Sequence, residues 1–193
     1  MGLKNRIVTP RLVLRRWKVR DKHDLYEYAQ HKEVGPIAGW PLHSSMEESA
    51  RIIRSSLSAR GNYAITLRDT GKVIGGIGMH STSLSQADPD INALELGYVL
   101  NPRYWGNEYI PEAALHYMYE AFSRLYLDAV ISACFDFNER SRRVFEKCGF
   151  EYMFQKHTMI EQLDFFKGIE QVYRLSEDTY WQLFEDGAYD KYF

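Results

Sequence analysis

The sequence predicts one α+β domain: a mixed, mostly antiparallel central sheet with helices on both faces. Three observations predict it. Apolar stretches of strand length interleave with amphipathic stretches of helix length. The ends of the chain read as hairpins, which pair antiparallel, so the sheet is mixed rather than purely parallel. Finally, 193 residues with 45% hydrophobic side chains are enough for one well-buried core and too few for two ordinary domains, so 1–193 reads as a single domain.

The elements follow in order. "RIVTPRLVLRRW" (6–17) alternates apolar and polar residues at Leu12 and Leu14, the mark of a half-buried strand. "DKHDLYEYAQH" (21–31) follows as a short helix. "SMEESARIIRSSLSAR" (45–60) is a second helix, opened by Ser45 and Glu48 at capping-box spacing and ended by Gly61. Ile52, Ile53 and Leu57 form its apolar face. "NYAITLRDTGKVIGGIGMHS" (62–81) reads as two strands around the turn Asp69-Thr70-Gly71, and the polar segment 81–92 as a loop. "ALELGYVL" (93–100) is the next strand. From Tyr109 to Tyr126, apolar residues at 110, 114, 117, 118, 121, 122 and 125 draw a helical stripe. Strand "AVISACF" (129–135) leads to helix "NERSRRVFEKCG" (138–149), with Asn138 as its N-cap and Gly149 at the left-handed C-terminal position. "FEYMFQKHTMI" (150–160) and "GIEQVYRLS" (168–176) form a closing hairpin, before a short helix from Asp178 and an aromatic tail, "YDKYF".

Composition narrows the function. Lys plus Arg number 24 against 26 Asp plus Glu, a net charge of −2, which argues against a nucleic-acid or anionic-membrane surface. "MGLKNRIVTP" lacks the apolar run of a signal peptide, and no stretch approaches a membrane span. Cys134 and Cys148 make no disulfide framework; reduced, buried thiols and a cytoplasmic location are expected. The six histidines show no ligand spacing, so no metal is expected. Neither a phosphate loop ending in G-K-[ST] nor a G-x-S-x-G elbow occurs.

The chemistry gathers around "NPRYWGNEYIPEA" (101–113), where a strand feeds a glycine-bearing loop and a helix N-terminus. Free N–H groups and the helix dipole make such a place receptive to anions. Alone this is a weak signal. It gains weight from two companions in chain order, "RLVLRRWKVRD" before it and "NERSRRVFEKCGF" after it. Together the three stretches resemble the GNAT acetyltransferase superfamily, and within it the ribosomal-protein N-terminal acetyltransferase-like branch, over roughly residues 9–175. In that family the middle stretch is the acyl-CoA motif Q/R-x-x-G-x-G/A, and the last is a helix with an N-x-x-S start and a G-F end.

The resemblance implies an acetyl-CoA-dependent N-acetyltransferase that works by direct attack of an amine. Arg103 would open the pyrophosphate loop, with Trp105, Gly106, Asn107, Glu108 and Tyr109 completing it. The backbone of Tyr98, Val99 and Leu100 would pair with the pantetheine arm like an added strand. Asn138 and Ser141 would contact the arm near its sulfur, although Asn138 is equally accounted for as a cap and Ser141 as a polar first turn. Glu95 would be the base that takes the amine proton; a strand carboxylate facing solvent or paired with an arginine is the alternative. Backbone N–H groups near Val99 would polarise the acyl carbonyl. The tyrosine that many members use to protonate the thiolate is replaced by Phe145, which leaves Ser141 as donor, with Tyr98 and Tyr104 as packing residues or stand-ins.

One residue departs from the motif. Its second small position holds Glu108, whose carboxylate at ~6 Å from a phosphate would cost about 1–3 kcal/mol, roughly ten- to a hundredfold in affinity. Turning to solvent, with Arg103 nearby to screen, would soften that cost. Glu108 and Phe145 also motivate the alternative of a non-catalytic acyl-CoA-binding or interaction module. On the acceptor side, "PIAGWPLHSS" (36–45) with Trp40 and His43 is expected either to wall the site or to be a packed connection, and His80, Asp88, Asp90 or Glu161 to meet a cationic amine. The acceptor is left open between a protein N-terminus and a small amine: a polyamine, an amino acid or an aminoglycoside-like compound. The aromatic C-terminal region suggests a homodimer contact.

Overall fold

A computed structural model describes residues 2–82 and 91–193. Among them, eight strands form one sheet: β1 (Arg6–Val8), β2 (Leu12–Arg15), β3 (Asn62–Leu67), β4 (Val73–Ser81), β5 (Ala93–Leu100), β6 (Ala129–Phe135), β7 (Glu151–Ile160) and β8 (Phe166–Ser176). Their spatial order is β1-β2-β3-β4-β5-β6-β8-β7, and every neighbouring pair is antiparallel except β5–β6. The helices are α1 (Lys22–Ala29), α2 (Met46–Ile52), α3 (Tyr109–Leu125), α4 (Glu139–Cys148) and α5 (Glu177–Glu185). The expected mixed, mostly antiparallel sheet is what the chain forms.

Strand alternation sorts the helices into two layers. Tyr63 and Ile65 of β3 join the large core with α3, α4 and α5, around Tyr117, Phe122, Phe145 and Tyr180. Ala64, between them, faces the opposite cluster with Trp17, Leu25, Tyr28 and Ile53, under α1 and α2. Helices therefore cover both faces.

Three local readings change. The stretch 6–17 is two strands, because Pro10 interrupts the ladder and Thr9 N–H donates to Leu12 O at 3.0 Å across a tight turn. The second helix ends as α-helix at Ile52 and widens into a π turn over Ile53–Leu57, where Ser58 N–H reaches back to Ile53 O at 2.8 Å. Its Ser45 cap holds, accepting from Glu48 N–H at 3.1 Å, but the Glu48 carboxylate binds Ser44 N–H at 2.7 Å instead of returning to Ser45. The aromatic C-terminal end packs inward: Tyr189 and Tyr192 are each only 2% exposed, and Tyr189 Oη donates to Cys148 O at 2.8 Å. Two of its three rings thus serve this chain's own core, and Phe193 stays exposed.

The one parallel pair is where the sheet opens. β5 and β6 are in register at Ala93–Ala129, Leu94–Val130 and Glu95–Ile131, and their pairing stops there although both strands continue. Just beyond, Ser132 Oγ donates to Leu96 O at 2.8 Å, so the Leu96 carbonyl faces β6. On the other side, Asn101 N–H donates to Ile74 O at 2.8 Å, toward β4. Peptide groups alternate sides along a strand, and the β4–β5 register is unbroken from Leu94 to Leu100. Leu96, Tyr98 and Leu100 thus turn their backbone groups to the widening gap, whereas Gly97 and Val99 turn theirs to β4.

Candidate active site

Two clefts meet at this gap. One, of about 550 Å³, lies toward α1 and α2 and is lined by Trp17, Tyr28, Trp40, His43 and Glu95 among others. The second, of about 270 Å³, lies between β5 and the starts of α3 and α4, against Trp105, Gly106, Arg140, Arg143 and Lys147. Tyr98, Val99, Asn138 and Ser141 line both.

The loop 101–108 is held by its own polar groups. Asn101 Oδ1 accepts from Arg103 N–H at 3.1 Å, Trp105 Nε1 donates to Leu100 O at 3.0 Å, and Asn107 Nδ2 donates to Tyr104 O and Trp105 O at 3.2 and 3.1 Å. Gly106 has φ +79° and open space where a Cβ would lie, so glycine is required there by backbone conformation and not by crowding. Glu108 is also left-handed, φ 58°, a conformation that costs a non-glycine residue about 1 kcal/mol. It caps α3 without a side-chain bond to the helix, and Pro111 has no N–H. The N–H groups of Tyr109 and Ile110 are therefore without intrahelical partners at the mouth of the smaller cleft.

The Glu108 carboxylate leaves the loop altogether. It pairs with Lys147 of α4, with Lys191 Nζ at 3.1 Å, and accepts from Tyr192 Oη at 3.4 Å. Lys147 first and then Lys191 pull its pKa down to about 2. Arg103 plays no part in this: its guanidinium reaches Glu27 at 3.2 Å, and it lines neither cleft. The screening expected from Arg103 is supplied by lysines 39 and 83 positions away.

A measurable consequence follows. Glu108→Gln releases Lys147 toward the smaller cleft, and acetyl-CoA affinity by calorimetry is expected to rise about three- to tenfold. Unchanged affinity would show that Lys147 does not reach the ligand. Because the folded-state pKa is depressed, the pair stabilises the protein fully above pH 4.5, and that contribution is lost as pH falls toward about 2. The difference in melting temperature between wild type and the variant is accordingly expected to shrink between pH 6 and pH 3.

Glu95 projects to the face of β5 that carries Val99, the α1–α2 side, and stands opposite His80 in the β4–β5 register. Thr82 Oγ1 donates to its Oε2 at 2.7 Å. It has no Lys or Arg ion-pair partner among the described residues, so the arginine-paired alternative does not hold there. Asn138 Oδ1 accepts from Ser141 N–H at 3.2 Å, which makes it the cap of α4 while it also lines both clefts. Phe145 is 1% exposed and stacks edge-on with Tyr98 at 6.2 Å. Tyr98 Oη donates to Ser141 O at 3.3 Å, and burial holds its phenol well above the ordinary range. Tyr104 packs against Tyr109 at 6.4 Å.

Trp40 and His43, with ring centroids 5.2 Å apart, and His80 line the larger cleft. Glu161 lies in the turn after β7 and lines neither cleft. Asp88 and Asp90 lie outside the described residues. Sequence reasoning passed over Trp17, Tyr28 and Glu170 in the larger cleft, and Arg140, which stacks on Trp105 at 3.9 Å in the smaller. Only the 25–28–29 spacing of Leu25, Tyr28 and Ala29 marked an inward helix face. Both cysteines are free and buried. Among the described residues, no three His, Cys, Asp or Glu side chains gather as a metal site, and no helix is long and apolar enough to cross a membrane.

Comparison with known proteins completes the picture. The family described as "Acetyltransferase (GNAT) domain" matches residues 11–151. The uncharacterized N-acetyltransferase YoaA of Bacillus subtilis (strain 168) is 28% identical over 162 residues, covering 78% of this chain and 89% of the relative. Among solved structures, a GNAT-family acetyltransferase from Bacillus anthracis superposes with a TM-score of 0.78 at 22% identity, covering 90% of this chain and 99% of that one. A GCN5-related N-acetyltransferase from Brucella melitensis gives a TM-score of 0.80 at 15% identity, covering 100% and 88%. These two likenesses are of fold.

Proposed function

The chain belongs to the GNAT acetyltransferase family, and from that premise we propose that it uses acetyl-CoA to acetylate a primary amine, by direct attack at the gap between β5 and β6. The observation that carries this reading is the meeting of the two clefts at Tyr98, Asn138 and Ser141. Members of the family use acetyl-CoA, and the smaller cleft suits it chemically. A strand edge opens at Tyr98, helix N–H groups lie at Tyr109 and Ile110, and Arg140, Arg143 and Lys147 supply cations. Tyr98, Val99, Leu100, Trp105, Gly106, Tyr109, Asn138 and Ser141 are the residues that would hold it. When bound, acetyl-CoA supplies an activated acyl group.

The chain's own residues do the rest. Glu95, a carboxylate in the larger cleft with no cationic partner among the described residues, receives the proton of the incoming ammonium. A lysine-like amine has a pKa of about 10.4, so a nearby base raises the reactive fraction at neutral pH. The Tyr98 N–H, on the gap side of β5, is the backbone donor we place at the acyl carbonyl; the alternation of the strand, which turns the Val99 N–H to β4, supports Tyr98 over Val99. Ser141, in both clefts, offers its hydroxyl to the departing thiolate. A thiol pKa of about 8.5 makes that assistance modest, which is why Phe145 is tolerable at the tyrosine position. Amine-dependent release of free thiol from acetyl-CoA, with N-acetylated product identified by mass spectrometry, tests this reading. Binding of acetyl-CoA without release on any primary amine would instead support an acyl-CoA-binding module.

A further inference from the structure

Part of the floor of the larger cleft is a single row across three strands. Asn62 of β3 pairs with Gly78 of β4, and Gly78 pairs with Gly97 of β5. Cross-strand partners share a face, so all three point toward α1 and α2, as Ala64 and Val99 do from the same strands. The next row sets His80 opposite Glu95, and all five residues line the cleft.

Gly97 is the glycine on that floor for which the protein's own packing gives no reason. A Cβ on Gly76 would meet Trp17 at 3.0 Å, and one on Gly78 would meet Asn62 Oδ1 at 2.0 Å and His80 Nε2 at 3.2 Å. A Cβ on Gly97 would meet nothing within 4 Å, and its φ is not left-handed. Glycine weakens a strand interior, and one kept there without a backbone or packing need marks a place where a ligand lies close. Gly97 is exposed, and it lines the larger cleft but not the smaller.

Beside that open space stands an unused hydrogen-bond acceptor. Asn62 Nδ2 donates to Ser56 O at 3.0 Å. A carbonyl can only accept, which fixes the orientation of the amide and leaves Oδ1 over Gly78. Oδ1 accepts no hydrogen bond among the described residues, yet it is not sealed. The buried side-chain atoms without a partner there are Tyr28 Oη and Arg174 Nε. Asn62 is 8% exposed as a residue and lines the larger cleft, so Oδ1 keeps its open surface on that side.

We infer that the acceptor's amino group sits over the Gly78–Gly97 pair, between the Glu95 carboxylate and Asn62 Oδ1, with the carbon that bears it against Gly97. Asn62 is then a substrate-binding residue and Gly97 a specificity-determining one. This rests on the acetyltransferase reading, in that the amine is placed at Glu95. An ammonium has three donors. Glu95 takes one of its protons, and the neutral Asn62 carbonyl holds a second N–H both before and after that transfer. Gly97 directly precedes Tyr98, where the acyl carbonyl is placed, so a side chain at 97 would stand in the path of the attacking nitrogen.

The test is an NMR titration of CoA-saturated protein with benzylamine and with n-butylamine, for wild type, Asn62→Ala, Asn62→Asp and Gly97→Ala. CoA affinity, melting temperature and amine-dependent thiol release from acetyl-CoA are measured alongside. Asn62→Ala is expected to weaken amine binding about tenfold, and Asn62→Asp to restore it to the wild-type level or above. Both substitutions lose the bond to Ser56, so a purely structural role would make them equally poor. Gly97→Ala is expected to weaken amine binding about fivefold or more, with a melting temperature no lower than wild type. CoA affinity is expected to stay within about twofold throughout. Equal weakening by Asn62→Ala and Asn62→Asp, unchanged amine affinity in Gly97→Ala, loss of CoA binding in Gly97→Ala, or no saturable binding of either amine by wild type would each overturn the inference. Binding with the expected pattern but without thiol release would support the inference and contradict the catalytic reading. Thiol release that none of the substitutions alters would do the reverse, so the two failures are distinguishable.

Discussion

Glu95→Gln is expected to lower kcat about 100-fold or more and to move the pH optimum upward, with acetyl-CoA affinity little changed. The side chain sits in the larger cleft on the α1–α2 face of β5, within reach of a Thr82 hydroxyl at 2.7 Å and without a cationic partner among the described residues. Glutamine keeps the shape and the bond from Thr82 but cannot take a proton. The variant must then wait for amine deprotonated by bulk solvent, whose fraction rises tenfold per pH unit below a pKa of about 10.4. The rate of the variant should therefore climb with pH across the range where wild type has levelled. Steady-state rates from pH 6 to 10 decide it. A variant that matches wild type throughout would remove Glu95 as the base and leave proton loss to water.

Glu112→Ala is expected to destabilise the protein by about 2–4 kcal/mol, because it breaks a buried charge cluster at one end. Glu112 lies in the first turns of α3, and its side chain is 2% exposed. Its two oxygens accept from Thr9 Oγ1 at 2.5 Å, Arg11 N–H at 2.8 Å and Arg11 Nε at 2.5 Å. Those donors belong to the turn at Pro10 that the sequence reading missed, so one carboxylate ties the β1–β2 hairpin to the start of α3. Arg11 also reaches Asn107 O at 2.9 Å, within the glycine loop. Loss of Glu112 leaves the Arg11 N–H groups without their carboxylate and Thr9 Oγ1 with only Leu12 as partner, and loosens that loop. For a chain of this size the expected fall in melting temperature is about 5–15 °C, with weaker acetyl-CoA binding beside it. A fall under about 1 °C would show that solvent replaces the carboxylate without penalty.

The local form of the loop beside the smaller cleft was legible in the sequence and the make-up of the larger cleft was not, for a physical reason. A glycine-bearing loop between a strand and a helix is a local pattern: Gly106, Asn107 and Pro111 each act within a few residues of themselves, and their spacing is visible on the page. The N-cap at Asn138 and the C-terminal Gly149 are equally local, and both lie where expected. By contrast, the partners of Glu108 come from α4 and the C-terminal tail. Nothing in the loop's own composition could reveal whether its carboxylate faced a phosphate or a lysine. The larger cleft is assembled from the segment after β2, α1, the turn after it, α2, β4, β5, β6 and β8, so Trp17, Tyr28 and Glu170 come together only through the sheet order. The splitting of β5 from β6 likewise follows from pairing between strands and not from either strand's residues.

Amide hydrogen exchange with and without saturating acetyl-CoA tests the central claim most directly. The expected result is new protection at the Tyr98 amide, on the open edge of β5, and at the amides of 106–110 where the loop enters α3, with β1 and β2 unchanged. Protection confined to other elements, with Tyr98 and the loop exchanging as before, would contradict the placement of the acyl carrier in the gap between β5 and β6.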